Sequence, residues 1–308
     1  MGDPSTDRPD LRGLWGFPLT PFDDADRIDE DAYRLGARTL VGHADVLCAA
    51  GTLGQGDRMT PAERLRCAEL LVEVAGDRPV MGTLVAGAGD TDDAADLLGA
   101  GVAAVLLLPS TGDPADAAAS LHRIGCATSG RLPVVLYQRG PLRLRPEELS
   151  AMCELPHLVG LKDAHGDLRA FHRLRGAVGD RLTWIGASED LALGYWAMGA
   201  DAWSPASLAY APWYAPAWLA ALRRGDIAEA RRLMERVAWP ITDLRLSRPD
   251  IDVTMVRSLA ARAGLPVGRA RPPADELTRA QSARLEELAT IMDQERDRHA
   301  AAESDRAS

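Results

Sequence analysis

Leu132-Pro133-Val134-Val135-Leu136-Tyr137 and Leu158-Val159-Gly160-Leu161-Lys162 are two short apolar runs, and between them lies Arg145-Pro146-Glu147-Glu148. Each run has the length of a buried strand, and a proline followed by acidic residues marks the first turn of a helix. A strand, a helix and a second strand within about 30 residues make a unit whose strands pair in parallel through a right-handed crossover.

Outward from this unit the same alternation recurs, with apolar runs at 14–20, 44–50, 79–85, 102–109, 182–186 and 202–206, so that eight strands are expected. Helix starts fall between them: Asp29 opens 30–42, and Thr60-Pro61-Ala62-Glu63 pairs a cap with proline in the first turn. Eight such units in succession are the sequence form of an α/β (β/α)8 TIM barrel. An open doubly wound sheet usually has fewer strands, and no G-x-G-x-x-G follows the first run. Apolar spacing at 228–239, 253–263 and 277–293 predicts a C-terminal helical extension. The expected organisation is a disordered N-terminus at 1–10, a barrel core at 11–212, helices packed on it at 213–295, and a disordered tail at 296–308.

Composition removes several function classes. The net charge of −10 over 308 residues argues against a general affinity for nucleic acid or anionic membrane. Cys48, Cys67, Cys126 and Cys153 form no Cys-x-x-Cys pair, and the six histidines show no metal-ligand spacing, so neither a metal site nor a disulfide framework is expected. The polar start lacks the apolar core of a signal peptide and no apolar run approaches a membrane span, which makes a cytoplasmic protein with reduced thiols the expectation.

Lys162 is the only lysine, against 34 arginines. Guanidinium does not lose its proton, whereas a buried amine is tunable to roughly pKa 7–8 and then attacks a carbonyl. Compositional drift toward arginine is the competing explanation. In a barrel the catalytic groups gather at the C-terminal strand ends. There the chain places Gly51-Thr52-Leu53-Gly54-Gln55 after strand two and Tyr137-Gln138-Arg139 at strand five. Lys162-Asp163 ends strand six, Gly186-Ala187-Ser188 strand seven and Ser204 strand eight. A tyrosine beside the amine passes protons as a carbinolamine forms and dehydrates. Read separately, Tyr137 is also an ordinary strand-end aromatic, Arg139 a rim charge and Thr52 a turn residue.

Together these residues resemble the dihydrodipicolinate synthase and N-acetylneuraminate lyase superfamily of class I aldolases, and Gly16-Phe-Pro-Leu-Thr-Pro-Phe-Asp23 is similar to that family's first strand. The likeness runs from about residue 12 to 295. Within the superfamily the chain looks like the 5-dehydro-4-deoxyglucarate dehydratases, through Tyr137-x-Arg139, Lys162-Asp163 followed by Gly166-Asp167, and Arg271-Pro272-Pro273. Three departures stand out. Leu53 takes the place of a hydroxyl residue in the carboxylate loop and Gln55 that of an acid, while Arg257 stands where those dehydratases carry a second lysine.

The resemblance implies Lys162, Tyr137 and Thr52 as catalytic residues. It implies Leu53, Gly54, Arg139, Gly186, Ser188 and Ser204 as substrate-binding, with Thr52 poising Tyr137. The expected activity is a Schiff-base lyase of a 2-oxo acid, best matched by a decarboxylating dehydratase of a deoxy-keto-sugar acid, needing no metal or organic cofactor. Another class I aldolase or retro-aldolase is one alternative, and a catalytically idle keto-acid-binding relative is the other. A homodimer or homotetramer is expected, with Trp213, Trp218 and Trp239 either lining its interface or buried in the core.

Overall fold

In the computed structural model, which describes residues 8–87, 89–248 and 251–307, each of the eight apolar runs overlaps a strand. They are β1 (Gly13–Gly16), β2 (Val46–Cys48), β3 (Val80–Val85), β4 (Ala104–Leu108), β5 (Val134–Gln138), β6 (Leu158–Asp163), β7 (Thr183–Gly186) and β8 (Ala202–Trp203). All pair in parallel in chain order, and β8 closes on β1, giving the expected (β/α)8 barrel. The strands alternate in facing. In β5, Val135 and Tyr137 join Trp15, Val46, Met81, Leu106 and Ile185 inside the barrel, while Val134 and Leu136 join the larger cluster between barrel and helices.

The helix starts read from sequence hold. Asp29 accepts a hydrogen bond from the Ala32 N–H at the head of Glu30–Val41, and Thr60 with Glu63 closes a capping box ahead of Pro61–Val74. Asp167 caps Leu168–Val178, so the Gly166-Asp167 pair turns the chain at φ +72° and starts a helix. No helix among the described residues is long and apolar enough to cross a membrane.

Beyond β8 the helix Tyr214–Arg223 buries Trp218 against Trp203, with ring centroids 4.5 Å apart. It completes the eighth strand–helix unit past the boundary expected at 212. Ile227–Leu233 and Trp239–Leu246 are joined by the π-helical turn Met234–Ala238. The cause is Pro240, which lacks an N–H and whose ring would strike the carbonyl four residues back in a regular α-helix. Asp252–Arg262 and Arg279–Ala307 finish the extension. The disordered tail expected at 296–308 is therefore corrected through Ala307. Its Ala-, Glu- and Arg-rich sequence favours helix, Glu295 pairs with Arg232 and Arg236, and His299 packs on Trp213 at 5.9 Å. At the other end Arg8 donates to the carbonyls of Pro156 and Arg181, and the remaining expected disorder, at 1–7, lies outside the described residues.

One local irregularity controls the chemistry. Val134 pairs with Leu158 but Val135 pairs with Gly160, so Val159 is an extra residue, a β-bulge in β6. Val159 lies inside the barrel and Leu161 outside it. Without the bulge, strict alternation from Val159 would turn residue 162 toward the helices; with it, Lys162 faces inward opposite Tyr137.

Candidate active site

At the C-terminal mouth of the barrel, Lys162, Tyr137, Thr52, Leu53, Arg139 and Ser204 line one cavity of about 290 Å³. Larger clefts of about 500 and 730 Å³ lie elsewhere on the molecule, and neither is lined by Lys162 or Tyr137. The chemistry selects the smaller cavity.

Lys162 is 6% exposed, and its Nζ lies 4.2 Å from the Phe17 ring centroid and 4.3 Å from that of Tyr137. Among the described residues no carboxylate pairs with it. Burial draws its pKa down from 10.5 to about 7; Cys48 opposes that shift and the Arg139 cation adds to it. The Cys48 thiol is itself pushed up to about 11 by burial and stays protonated at neutral pH. Gly51 makes room for the aromatic wall, since a Cβ there would meet Phe17 at 2.4 Å.

Tyr137 pairs with Lys162 across β5 and β6. Burial raises its pKa, the nearby Arg139 and Arg245 cations pull it back and Asp163 adds to the rise, leaving a neutral phenol at pH 7. Thr52 does not hydrogen-bond to this phenol. Its hydroxyl accepts from Arg139 Nη1 at 3.0 Å, and the Arg139 guanidinium lies 5.4 Å from the Tyr137 ring centroid. The expectation that Thr52 poises Tyr137 is corrected: Thr52 positions Arg139.

Three expected binding residues are not part of the cavity lining. Gly54 is packed against the Pro18 carbonyl, 3.0 Å from where a Cβ would sit; Gly186 faces Tyr195; and Ser188 lies beside Gly166 and interacts with the Tyr195 hydroxyl. Ser204 does line it, donating weakly to the Gly186 carbonyl at 3.4 Å.

Gln55 and Arg257 also act structurally. Gln55 donates to the Arg271 carbonyl at 2.7 Å and accepts from the Arg271 N–H at 3.0 Å and from Arg257 at 3.3 Å. A carboxylate could not make the first of these bonds. Arg257 also donates to the Thr20 carbonyl at 2.6 Å, and burial lowers its pKa to about 10. Arg271 stacks 4.0 Å over Phe22 and pairs with Glu63 and Asp26, so the Arg-Pro-Pro segment straps the extension to the barrel.

Sequence reading missed Phe17 as the amine's wall, although Phe17 stood within the stretch likened to the family's first strand. It also missed the network behind the lysine. Asp163, fully buried, accepts from Gln138 at 2.8 Å and from the Tyr195 hydroxyl, which in turn accepts from the Gly166 N–H at 3.0 Å. The Tyr195 pKa is raised by burial and by the Asp163 charge. These bonds fix the end of β6 that carries Lys162. Arg245 and Asp252, from the extension, complete the lining, and one arginine among 34 carries no sequence signal.

Comparison with known proteins agrees with the fold. The Dihydrodipicolinate synthetase family model matches residues 10–292. A probable 5-dehydro-4-deoxyglucarate dehydratase 2 of Streptomyces coelicolor is 35% identical over 89% of this chain and 87% of its own. A probable 5-dehydro-4-deoxyglucarate dehydratase of Methylobacterium radiotolerans is 34% identical over 90% and 93%. Among solved structures, dihydrodipicolinate synthase from Bacillus clausii has a TM-score of 0.84 at 23% identity, covering 91% of this chain and 97% of that one. N-acetylneuraminate lyase from Fusobacterium nucleatum has a TM-score of 0.81 at 16% identity, covering 92% and 99%. These two likenesses concern the fold alone.

Proposed function

The chain is a lyase of the dihydrodipicolinate synthetase family, and on that footing we propose that it forms a Schiff base through Lys162 with a 2-oxo acid and acts as a decarboxylating dehydratase of 5-dehydro-4-deoxyglucarate. The observation that carries the reading is a buried amine titrating at about 7, walled by two aromatic rings. At neutral pH about half of it is the free base that nucleophilic attack requires.

The amine adds to the substrate ketone, and the carbinolamine loses water to give an iminium. Tyr137, held as a neutral phenol, donates the proton that lets the hydroxyl leave and takes it back afterwards. The iminium withdraws electrons from the carbon beside it, so that carbon loses a proton, and the resulting enamine expels hydroxide from the next carbon. The unsaturated iminium left by that loss extends the electron sink along the chain, so the distal carboxylate, on the hydroxyl-bearing carbon beyond the new double bond, leaves as carbon dioxide while its bonding pair flows through the double bond to the nitrogen. Arg139, held by Thr52, supports the anionic end of the substrate in this scheme, and Ser204 offers a hydroxyl to substrate oxygen. The reading also takes the protein to be a cytoplasmic homo-oligomer.

Leu53 favours a second reading, aldol cleavage of another keto acid, because it gives the cavity an apolar side chain in the carboxylate loop. Incubation with 5-dehydro-4-deoxyglucarate separates the two. Carbon dioxide released in step with substrate loss supports the dehydratase. Carbon–carbon cleavage without carbon dioxide selects the aldolase, and no turnover with imine formation intact would leave a binding protein.

A further inference from the structure

We propose that Arg245 is a specificity residue that binds a second, distal carboxylate of the substrate, taking it from the position Asp252 now holds. This rests on the Schiff-base reading of Lys162 and adds the substrate class it serves.

Arg245 lies on the helix Trp239–Leu246 and lines the same cavity as Lys162. The π turn forced by Pro240 offsets this helix, and Trp239 pins it to the loop after β7 by donating to the Asp190 carbonyl at 2.9 Å. The guanidinium is thus delivered from outside the barrel onto its mouth.

It arrives with most of its hydrogen-bonding capacity unused. Among the described residues its one hydrogen bond runs from Nη2 to Asp252 Oδ2 at 3.2 Å, and its Nε is buried without an acceptor. Nη1 is 3.7 Å from Glu189 Oε2, an ion pair too long to be a hydrogen bond. A guanidinium presents five N–H donors in a fork that fits a carboxylate on two bonds, so this one is under-satisfied as it stands.

The two acidic neighbours differ in kind. Glu189 is buried and anchored by the Ser207 N–H at 3.0 Å, a fixed counter-charge. Asp252 has a side chain 47% exposed and holds Arg245 through one longish bond. An incoming carboxylate that engages two donors at once displaces it at little cost. Lys162 and Arg245 line one cavity of about 290 Å³, and a short linear diacid would lie there with its ketone at the amine and its far end at the guanidinium. 5-Dehydro-4-deoxyglucarate is such a molecule, a six-carbon diacid with its ketone beside one carboxylate.

The test uses two six-carbon probes, 2-oxoadipate and 2-oxohexanoate, which differ only in the distal carboxylate, with borohydride trapping at Lys162 read by intact mass. The expected wild-type preference for 2-oxoadipate is at least about tenfold in half-saturating concentration. Arg245→Gln should collapse that ratio toward one, and Arg245→Lys should restore only part of it. Asp252→Asn, at a half-exposed site that tolerates change, should raise the ratio by removing the competitor. The inference is overturned if Arg245→Gln keeps the ratio within twofold or if Asp252→Asn lowers it. Trapping of neither acid by the wild type would overturn the Schiff-base reading and this inference with it.

Discussion

Replacing Phe17 by serine tests what sets the reactivity of Lys162. The amine is drawn from 10.5 to about 7, chiefly by burial. At 1.36 kcal/mol per unit, that is about 5 kcal/mol of disfavour for the charged form. Two effects of Phe17 oppose each other. Its ring excludes water from Nζ, which lowers the pKa, and its face attracts an ammonium 4.2 Å away, which raises it. The ring–cation attraction is worth about 1–2 kcal/mol, well under the burial effect, so opening this wall should raise the pKa. If the midpoint rises to about 9, the free-amine fraction at pH 7 falls from about one half to about 1%, and adduct formation slows about 50-fold. The assay is the rate of cyanoborohydride trapping with pyruvate from pH 6 to 10. A Phe17→Ser profile with its midpoint still near 7 would refute burial as the cause.

Stability should show the same shift from the other side. The unfolded chain keeps the Lys162 proton up to about pH 10.5 while the fold releases it near 7, so stability rises with pH across that window, and Lys162→Met should stabilise the protein at pH 7 by about 2–5 kcal/mol with the gain shrinking toward pH 10.5. Denaturant midpoints at both pH values check this. Tyr137→Phe keeps the ring beside the amine but removes the proton relay, and turnover should fall about 10²–10⁴-fold in a steady-state assay. Tyr195→Phe strips a donor from buried Asp163 and an acceptor from the Gly166 N–H, and should cost about 1–3 kcal/mol by urea unfolding. A change under about 0.5 kcal/mol would remove the network from the explanation.

The barrel was legible because each strand is a contiguous apolar run and each crossover begins with a local cap, so Thr60-Pro61-Ala62-Glu63 announces its helix without reference to anything distant. Lys162 and Tyr137 were legible for a related reason, since both end strands, and the barrel brings strand ends together. What failed to show depends on contacts between remote segments. The bulge at Val159 is a property of the pairing with β5, and no single run contains it. Thr52 belongs with Arg139 because loops 87 residues apart in sequence meet at the mouth, a contact no local pattern encodes. Ser188 looked like a ligand by its place after β7, yet it is turned toward Tyr195. The tail after 296 looked disordered because its charge was read without the distant partners that hold this helix, Arg232 and Arg236 on Glu295 and Trp213 on His299.

The most direct measurement is the intact mass after incubation with pyruvate and sodium borohydride, beside Lys162→Arg. With no other lysine in the chain, the α-amino group is the sole rival amine. A stable adduct on the wild type that is lost in Lys162→Arg is the result expected of a Schiff-base lyase. An adduct that persists in the variant, or none with any 2-oxo acid on the wild type, would contradict it.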